Sequence, residues 1–466
     1  MLGKLTVNLC AAAMTLGTTT AVQAQASSPA HRPNIIVIVS DDLGYADLSL
    51  TGAPDIQTPN IDSLAANGCS FTNAYITAPV CLPSRMGLMT GTYQESFGVQ
   101  TLDGPGGSRE FGIPADRPTL GQELKQAGYS TGIVGKWHLG EKPEFLPNQK
   151  GFDEFYGFVN GSLPYFPDRP GVIWHNGETV AKTQYMTDDF GEKAAAFIDT
   201  NRDDPFFLYL AFSAVHLPLE ATEKYLEPYK SIKDPSRRKY AAMTSAMDVN
   251  VGLVLDALRK NDLLDNTLIF FLSDNGGFPR KWASNAPFRG GKYELYEGGI
   301  RTPFLVQWPD GGLEKGARFD QPVSALDIFP TALAAAGAAH SGPYPLDGVN
   351  LLPLMRGQTE ALPHERLYWR YGPTMCAMRE GDYKILKNGV GGDMNPQWKL
   401  YNVVEDPAES KDLSKTMPEK FNEMVAAFDT WDKGLPPPSF LDKRLVDGVA
   451  WWQIKDKQKD PIQEQD

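Results

Sequence analysis

Five short apolar runs set the architecture open to this chain. Asn34 to Val39, Thr131 to Val134, Phe206 to Phe212, Leu268 to Leu272 and Phe304 to Gln307 are dominated by aliphatic, β-branched and aromatic residues. A strand with one wet face alternates polar and apolar residues, whereas a continuous apolar run of this length suits a strand covered on both faces. Helical patterns lie between the runs. Thr119 to Ala127 stops at Gly128, and Ala241 to Arg259 repeats apolar residues at Met243, Met247, Val251, Val254 and Leu258, in steps of three and four that keep one face apolar. Strands alternating with helices predict an α/β fold with a doubly wound, mainly parallel sheet. The pattern changes after Leu346-Asp347-Gly348. Arg366 to Arg370, Thr374 to Arg379, Tyr383 to Lys387 and Lys399 to Tyr401 read as short strands, and Pro418 to Trp431 as a helix. With 466 residues there is room for more than one core. The expected division is a main catalytic unit over 31–349, a smaller C-terminal α+β unit with an antiparallel sheet over 350–441, and a charged tail over 442–466.

The first 24 residues read as a signal peptide. Lys4 provides the positive start, Leu5 to Thr15 a short apolar run, and Val22-Gln23-Ala24 small residues for cleavage. The run is too short to span a bilayer, so an exported protein, periplasmic or secreted and without stable membrane insertion, is expected. Of four cysteines, Cys69, Cys81 and Cys376 lie beyond that segment, an odd number that leaves at least one unpaired. Cys69, in an apolar stretch, is expected to be buried and free. The formal net charge of -13 argues against a nucleic-acid partner, though a local basic pocket for a small anion is compatible with it.

The ends of the predicted strands carry the chemistry, because ligands of open parallel sheets bind beyond the carboxyl ends of strands. The first strand ends in Ser40-Asp41-Asp42, a later one in Ser273-Asp274-Asn275-Gly276. An Asp after a strand is by itself an ordinary turn residue. Two such clusters at equivalent ends supply three carboxylates and an amide oxygen, a donor set suited to Ca²⁺ and less well to Mg²⁺. Cys81-Leu82-Pro83-Ser84-Arg85 opens a helix, with Pro in the first turn and Cys81 where amide N–H groups attract an anion. Arg85, one turn on, faces the same way. As a bare thiol, Cys81 is a candidate nucleophile of lowered pKa. Lys136 and His138 follow a strand and point the same way if the segment is extended. His216 follows another strand, and Lys292 lies in the Gly-rich stretch before Glu297-Gly298-Gly299. Together these residues would form a pocket for a tetrahedral anion.

The Cys81-x-Pro83-Ser84-Arg85 run ending in Thr90-Gly91 resembles the signature of the formylglycine-dependent (type I) sulfatases of the alkaline phosphatase superfamily. The resemblance continues through Ser40 to Asp42, Gly135 to Gly140, His216-x-Pro218, Ser273 to Gly276 and Lys292. It departs at Ala46, where many relatives carry Gly, and Gly157 to Gly177 matches no family motif. The resemblance implies an alkaline-phosphatase-like sheet and oxidation of Cys81 to formylglycine by a formylglycine-generating or sulfatase-maturing enzyme. It implies one Ca²⁺ held by Asp41, Asp42, Asp274 and Asn275, with Cys81 at the metal as well. Arg85 and Lys136 would orient the hydrated aldehyde, Asp274 could take the attacking proton, and Lys292 would bind the sulfate. His216 would protonate the leaving alcohol, and His138 would deprotonate the second hydroxyl, which expels sulfate. The substrate expected is a sulfated carbohydrate or polysaccharide-derived oligosaccharide, with Tyr165, Phe166, Trp174 and His175 as aromatic candidates to stack on a sugar or simply to pack a loop. A phosphatase or phosphonate/phosphodiester hydrolase of the same superfamily is the alternative, as is an inactive carbohydrate-binding relative.

Overall fold

A computed structural model of the chain describes residues 32–102, 111–278, 282–389 and 395–440. The expected signal peptide and charged tail lie outside these residues. The described chain builds a sheet of ten strands in the order Ala317–Phe319, Cys69–Phe71, Phe304–Gln307, Thr267–Ser273, Asn34–Ser40, Phe206–Ala211, Ser130–Lys136, Glu154–Phe158, Ile173–His175, Glu178–Val180. The five strands from Thr267–Ser273 to Glu154–Phe158 are mutually parallel. Phe304–Gln307 joins them antiparallel at one side, and at the other Ile173–His175 pairs antiparallel with Glu154–Phe158 and forms a hairpin with Glu178–Val180.

The continuous apolar runs are explained by what covers them. Ile35, Val37 and Val39 enter one core, and Ile36 and Ile38 enter a second on the opposite face; Phe207 and Tyr209 part from Phe206 and Leu208 in the same way. Alternate side chains of a strand point to opposite faces, so a strand between two cores has no wet side. The second core is roofed by the helices Met186–Thr200 and Pro235–Lys260, which pack on each other. The latter is apolar and long enough to cross a bilayer, but 78% of its most apolar window is buried here. It starts six residues before the predicted Ala241. Asp234 caps it by accepting from the Arg237 N–H at 2.8 Å, and Pro235 occupies the first turn.

The same helix anchors a shorter one. Pro59–Asn67 has no side-chain N-cap of its own. Asp248 takes that place, accepting from Ile61 N at 2.8 Å and Asn60 Nδ2 at 2.9 Å. Burial pushes the Asp248 carboxyl up to about 6 despite these bonds. A folded pKa above the unfolded one stabilises fully below the unfolded value, near pH 4, and that contribution is lost as pH rises through about 6. Asp248→Asn removes the titration. Its stability relative to the wild type should therefore climb between pH 4 and pH 7.5, by at most about 3 kcal/mol. Urea unfolding at both pH values measures this, and a pH-independent difference would refute it.

After residue 349, Arg366–Tyr371, Met375–Glu380, Tyr383–Lys387 and Lys399–Asn402 form a four-stranded antiparallel sheet, as the sequence predicts. Its outer face packs Met378, Ile385 and Leu400 against Met424 and Phe428 of the helix Pro418–Lys433. Its inner face, with Leu367, Trp369, Tyr371, Ala377 and Tyr401, is continuous with the first core of the large sheet. Cys69, Cys81 and Cys376 are all buried free thiols.

Candidate active site

Strand register brings the two acidic clusters together. Asn34–Ser40 and Thr267–Ser273 run in parallel with Ser40 opposite Ser273, so Asp41-Asp42 and Asp274-Asn275 leave the sheet side by side. The Asp42 N–H donates to Asp274 Oδ1 at 3.3 Å, with Asp42 in the left-handed region at φ 62°, which Asp tolerates better than most residues. Asp41, Asp42, Asp274 and Asn275 are all buried. Three carboxylates out of water at such spacing need cations, and the site supplies three. Lys136 Nζ lies 2.6 Å from Asp41 Oδ2, Lys292 Nζ 2.6 Å from Asp42 Oδ1, and Arg85 Nε 2.7 Å from Asp274 Oδ2. Burial works to raise the Asp42 pKa, but Lys292 and His216 outweigh it and hold it below the usual range. At Asp274 burial wins, reinforced by the Asp41 charge, and its pKa is raised.

Cys81 begins the helix Cys81–Thr90, every residue of which is buried. Its Sγ stands 3.5 Å from Asp41 Oδ1 and 3.3 Å from Lys292 Nζ. The thiol pKa is raised, not lowered. Burial pushes it up to about 12 against the pull of Lys136 and Lys292. The bare-thiol nucleophile is thereby corrected: desolvation of the thiolate exceeds the stabilisation by nearby charge, and the unmodified side chain stays protonated at neutral pH.

The two histidines enter from different strands. Lys136 ends its strand, but His138 does not share its direction through an extended segment. His138 has φ 57°, and the left-handed turn swings the ring back toward the pocket. Gly161 makes the space, since a Cβ there would lie 2.9 Å from His138 Nε2. Burial, then the Lys136 and Arg85 charges, holds His138 well below the usual histidine range, so the ring is neutral. Its Nδ1 is buried without a partner among the described residues. His216 Nε2 lies 3.6 Å from Asp42 Oδ2, and its Nδ1 is 2.7 Å from the Leu217 carbonyl, which fixes the proton of the neutral ring on Nδ1. Burial and Lys292 push His216 down to about 3.

The donor set fits a hard divalent cation. Ligand atoms of Asp41, Asp42, Cys81 and His216 all lie within 4.8 Å of one another. Asn275 donates to Asp42 Oδ1 at 2.7 Å, while its own Oδ1 is buried without a hydrogen-bond partner among the described residues. Carboxylates with an uncommitted amide oxygen are ligands for a hard divalent cation. His216 at the cluster's margin is an addition to the oxygen-only set read from sequence.

A cleft of about 1000 Å³ opens above Asp42, His216 and Lys292. Of the aromatic residues expected to face a sugar, only Phe166 lines it. Tyr165 is buried and donates to the carbonyls of Ser213 at 2.6 Å and His216 at 2.9 Å, fixing the His216 loop instead. Trp174 and His175 sit on the strand Ile173–His175, paired with Gly157 and Tyr156 at the sheet edge. The cleft's other walls were not anticipated: Phe278 and Trp282, stacked at 5.7 Å, with Arg169 and Lys239. The aromatic pair closely follows Asp274-Asn275, and that proximity was the available signal.

A family model described as Sulfatase matches residues 33–338, and one described as N-sulphoglucosamine sulphohydrolase, C-terminal, matches residues 291–429. The chain is 35% identical to N-acetylgalactosamine-6-sulfatase of Homo sapiens over 386 residues, covering 77% of this chain and 72% of that protein. It is 32% identical to arylsulfatase J of Mus musculus over 496 residues, covering 92% and 82%. The structure of Ps i-CgsB in complex with k-i-k-neocarrahexaose superposes with a TM-score of 0.84 at 38% identity, covering 92% of this chain and 98% of that one.

Proposed function

Since the chain belongs to the sulfatase family and is a sulfuric ester hydrolase, we propose that it desulfates carbohydrate chains outside the cytoplasm, using formylglycine made from Cys81 and one Ca²⁺. The carrying observation is the junction of a small buried floor, dense in paired charge, with a cleft of about 1000 Å³ partly walled by aromatic rings. The floor suits a tetrahedral anion, and the cleft is far larger than a sulfate, leaving room for sugar rings. Two names support the glycan class: that of the human relative, an N-acetylgalactosamine-6-sulfatase, and that of the neocarrahexaose complex. The partners are thus a sulfated glycan and a sulfatase-maturing enzyme.

Asp41, Asp42, Asp274 and Asn275 would hold the Ca²⁺, whose chemistry is to polarise the sulfate oxygens. Hydrated formylglycine at position 81 would supply the attacking oxygen. Around it, Arg85 and Lys136 fix the nucleophile's orientation from the buried side, and Lys292, whose charge Asp42 sustains, binds the sulfate from the cleft side. Asp274, with its raised pKa, can take up a proton. His138, neutral and with a free ring nitrogen, is suited to act as the base. His216 lines the cleft where the alcohol departs, and His138 does not, which favours His216 as the acid. With the ring at about 3 when free, this role needs an arriving anion to raise its proton affinity.

Paired substrates test that assignment. His216→Ala should cost roughly 10²–10⁴-fold in kcat/KM on a sugar sulfate, whose alcohol leaves only when protonated. It should cost far less on a nitrophenyl sulfate. Equal losses would reassign His216 to sulfate binding. The glycan reading itself is tested by a product-resolved screen of sulfated oligosaccharides beside phosphate monoesters and diesters. Faster turnover of the phosphate esters would overturn it in favour of the phosphohydrolase alternative.

A further inference from the structure

Lys292 rides on a loop that the C-terminal sheet holds by a buried charge cluster. The loop is closed by the Gly298 N–H on the Arg289 carbonyl at 2.8 Å. It is tied to the rest of the site by the Lys292 N–H on Gly277 O at 3.1 Å, the Tyr293 N–H on Pro79 O at 2.9 Å, and the Gly276 N–H on Gly299 O at 3.0 Å. The closing turn has no room to move: a Cβ at Gly299 would lie 1.9 Å from the Glu294 carbonyl. At this turn sits Glu297, fully buried. Lys384, fully buried on the C-terminal strand Tyr383–Lys387, reaches across with its Nζ 3.0 Å from Glu297 Oε1 and 3.0 Å from Glu409 Oε1. Glu409 in turn accepts from the Glu297 N–H at 2.6 Å, and its carbonyl accepts from Arg289 Nη1 at 3.2 Å. Both ends of the Lys292 loop are therefore held by residues 384 and 409.

We propose that Lys384 is a positioning residue of the active site, acting through Glu297 and Glu409 to set the loop that carries Lys292. The proposal rests on the sulfate-binding role of Lys292 given above. A charge buried this deeply is a costly way to fasten two elements, and an apolar contact of equal volume would serve adhesion as well. What the ion pair adds is a fixed geometry at the turn. Burial works to raise Glu297, but Lys384, Arg301 and Arg379 outweigh it and hold it at about 2, so it stays ionised and demands its partner. Glu409 is pushed up to about 7 by burial, so it can take a proton when Lys384 is lost.

The test uses the full enzyme, Lys384→Met, and the double variant Lys384→Met/Glu409→Gln, in which the carboxylate paired with Lys384 alone is also made neutral, while Glu297 keeps Arg301. Amide hydrogen exchange should show Lys292, Tyr293 and Gly298 exchanging at least about tenfold faster in folded Lys384→Met, with the strand Asn34–Ser40 unchanged. kcat/KM on a sulfate ester should fall at least tenfold. The double variant should recover thermal stability but not kcat/KM. Recovery of both together would mean that Lys384 only stabilises the fold, and the proposal would fall. It falls equally if exchange in the loop is unchanged, or if kcat/KM is unchanged in folded Lys384→Met. A wild type inert on sulfate esters would sink the functional reading, and the exchange result would still decide the clamp.

Discussion

Cys81→Ala is expected to abolish turnover of sulfate esters, by more than about 10⁴-fold, since the residue lost is the proposed nucleophile. Cys376→Ala is the control. Cys376 lies on the outer face of the C-terminal sheet, in the core formed with the helix Pro418–Lys433, and its removal should leave kcat/KM within about twofold. Loss in the second variant and not the first would sink the assignment. The thiol, pushed up to about 12, is a poor nucleophile as it stands, which strengthens the case for its conversion. Cys81→Ser should be equally inactive in a host that cannot oxidise Ser, because a sulfated Ser has no second hydroxyl to expel sulfate. Peptide mass spectrometry of active enzyme should find residue 81 as the aldehyde or its hydrate. An unmodified thiol in fully active protein would contradict the proposal.

Removing the metal should have the second-largest effect. Chelation is expected to stop turnover, because the proposed Ca²⁺ would polarise the sulfate, and to lower stability, because a cation bound only by the folded state stabilises it. A cation bound only by the folded state at a hundred times its Kd contributes about 2.7 kcal/mol, so the melting temperature should rise with free Ca²⁺ and level off as the site fills. Elemental analysis of the purified enzyme should give about one Ca²⁺ per chain. Two zinc ions per chain, or activity that survives exhaustive chelation, would move the chain toward the phosphohydrolase alternative or exclude a metal role.

The parallel strands and the residues at their ends were legible in the sequence because both are local signals. A run such as Phe206 to Phe212 declares burial on two sides, and Asp41-Asp42 and Asp274-Asn275 announce themselves by standing just past such runs. The start of the long helix was also written, in Asp234-Pro235, but periodicity alone placed it six residues late. Other features were not local. The direction of His138 depends on a left-handed turn and on the space left by Gly161, more than twenty residues away. Trp174 and Tyr165 look alike as aromatic candidates, yet one pairs at a sheet edge and the other props the His216 loop. The Lys384–Glu297–Glu409 cluster joins residues as far as 112 apart in the chain, and no spacing in the sequence marks it.

The seclusion of position 81 sets an order of events in the life of each molecule. Its side chain is 2% exposed, at the head of a helix without a single accessible residue, behind the Lys292 loop. A second enzyme cannot grip a stretch so enclosed. The conversion proposed for Cys81 would therefore have to take place on the nascent or still extended chain, before folding shuts the door. On that proposal, a molecule that folded first would stay inert, however native its shape. The specific activity of a preparation would then count the fraction of chains in which oxidation won the race against collapse, and slowing the folding step should raise that fraction without changing a residue of the site.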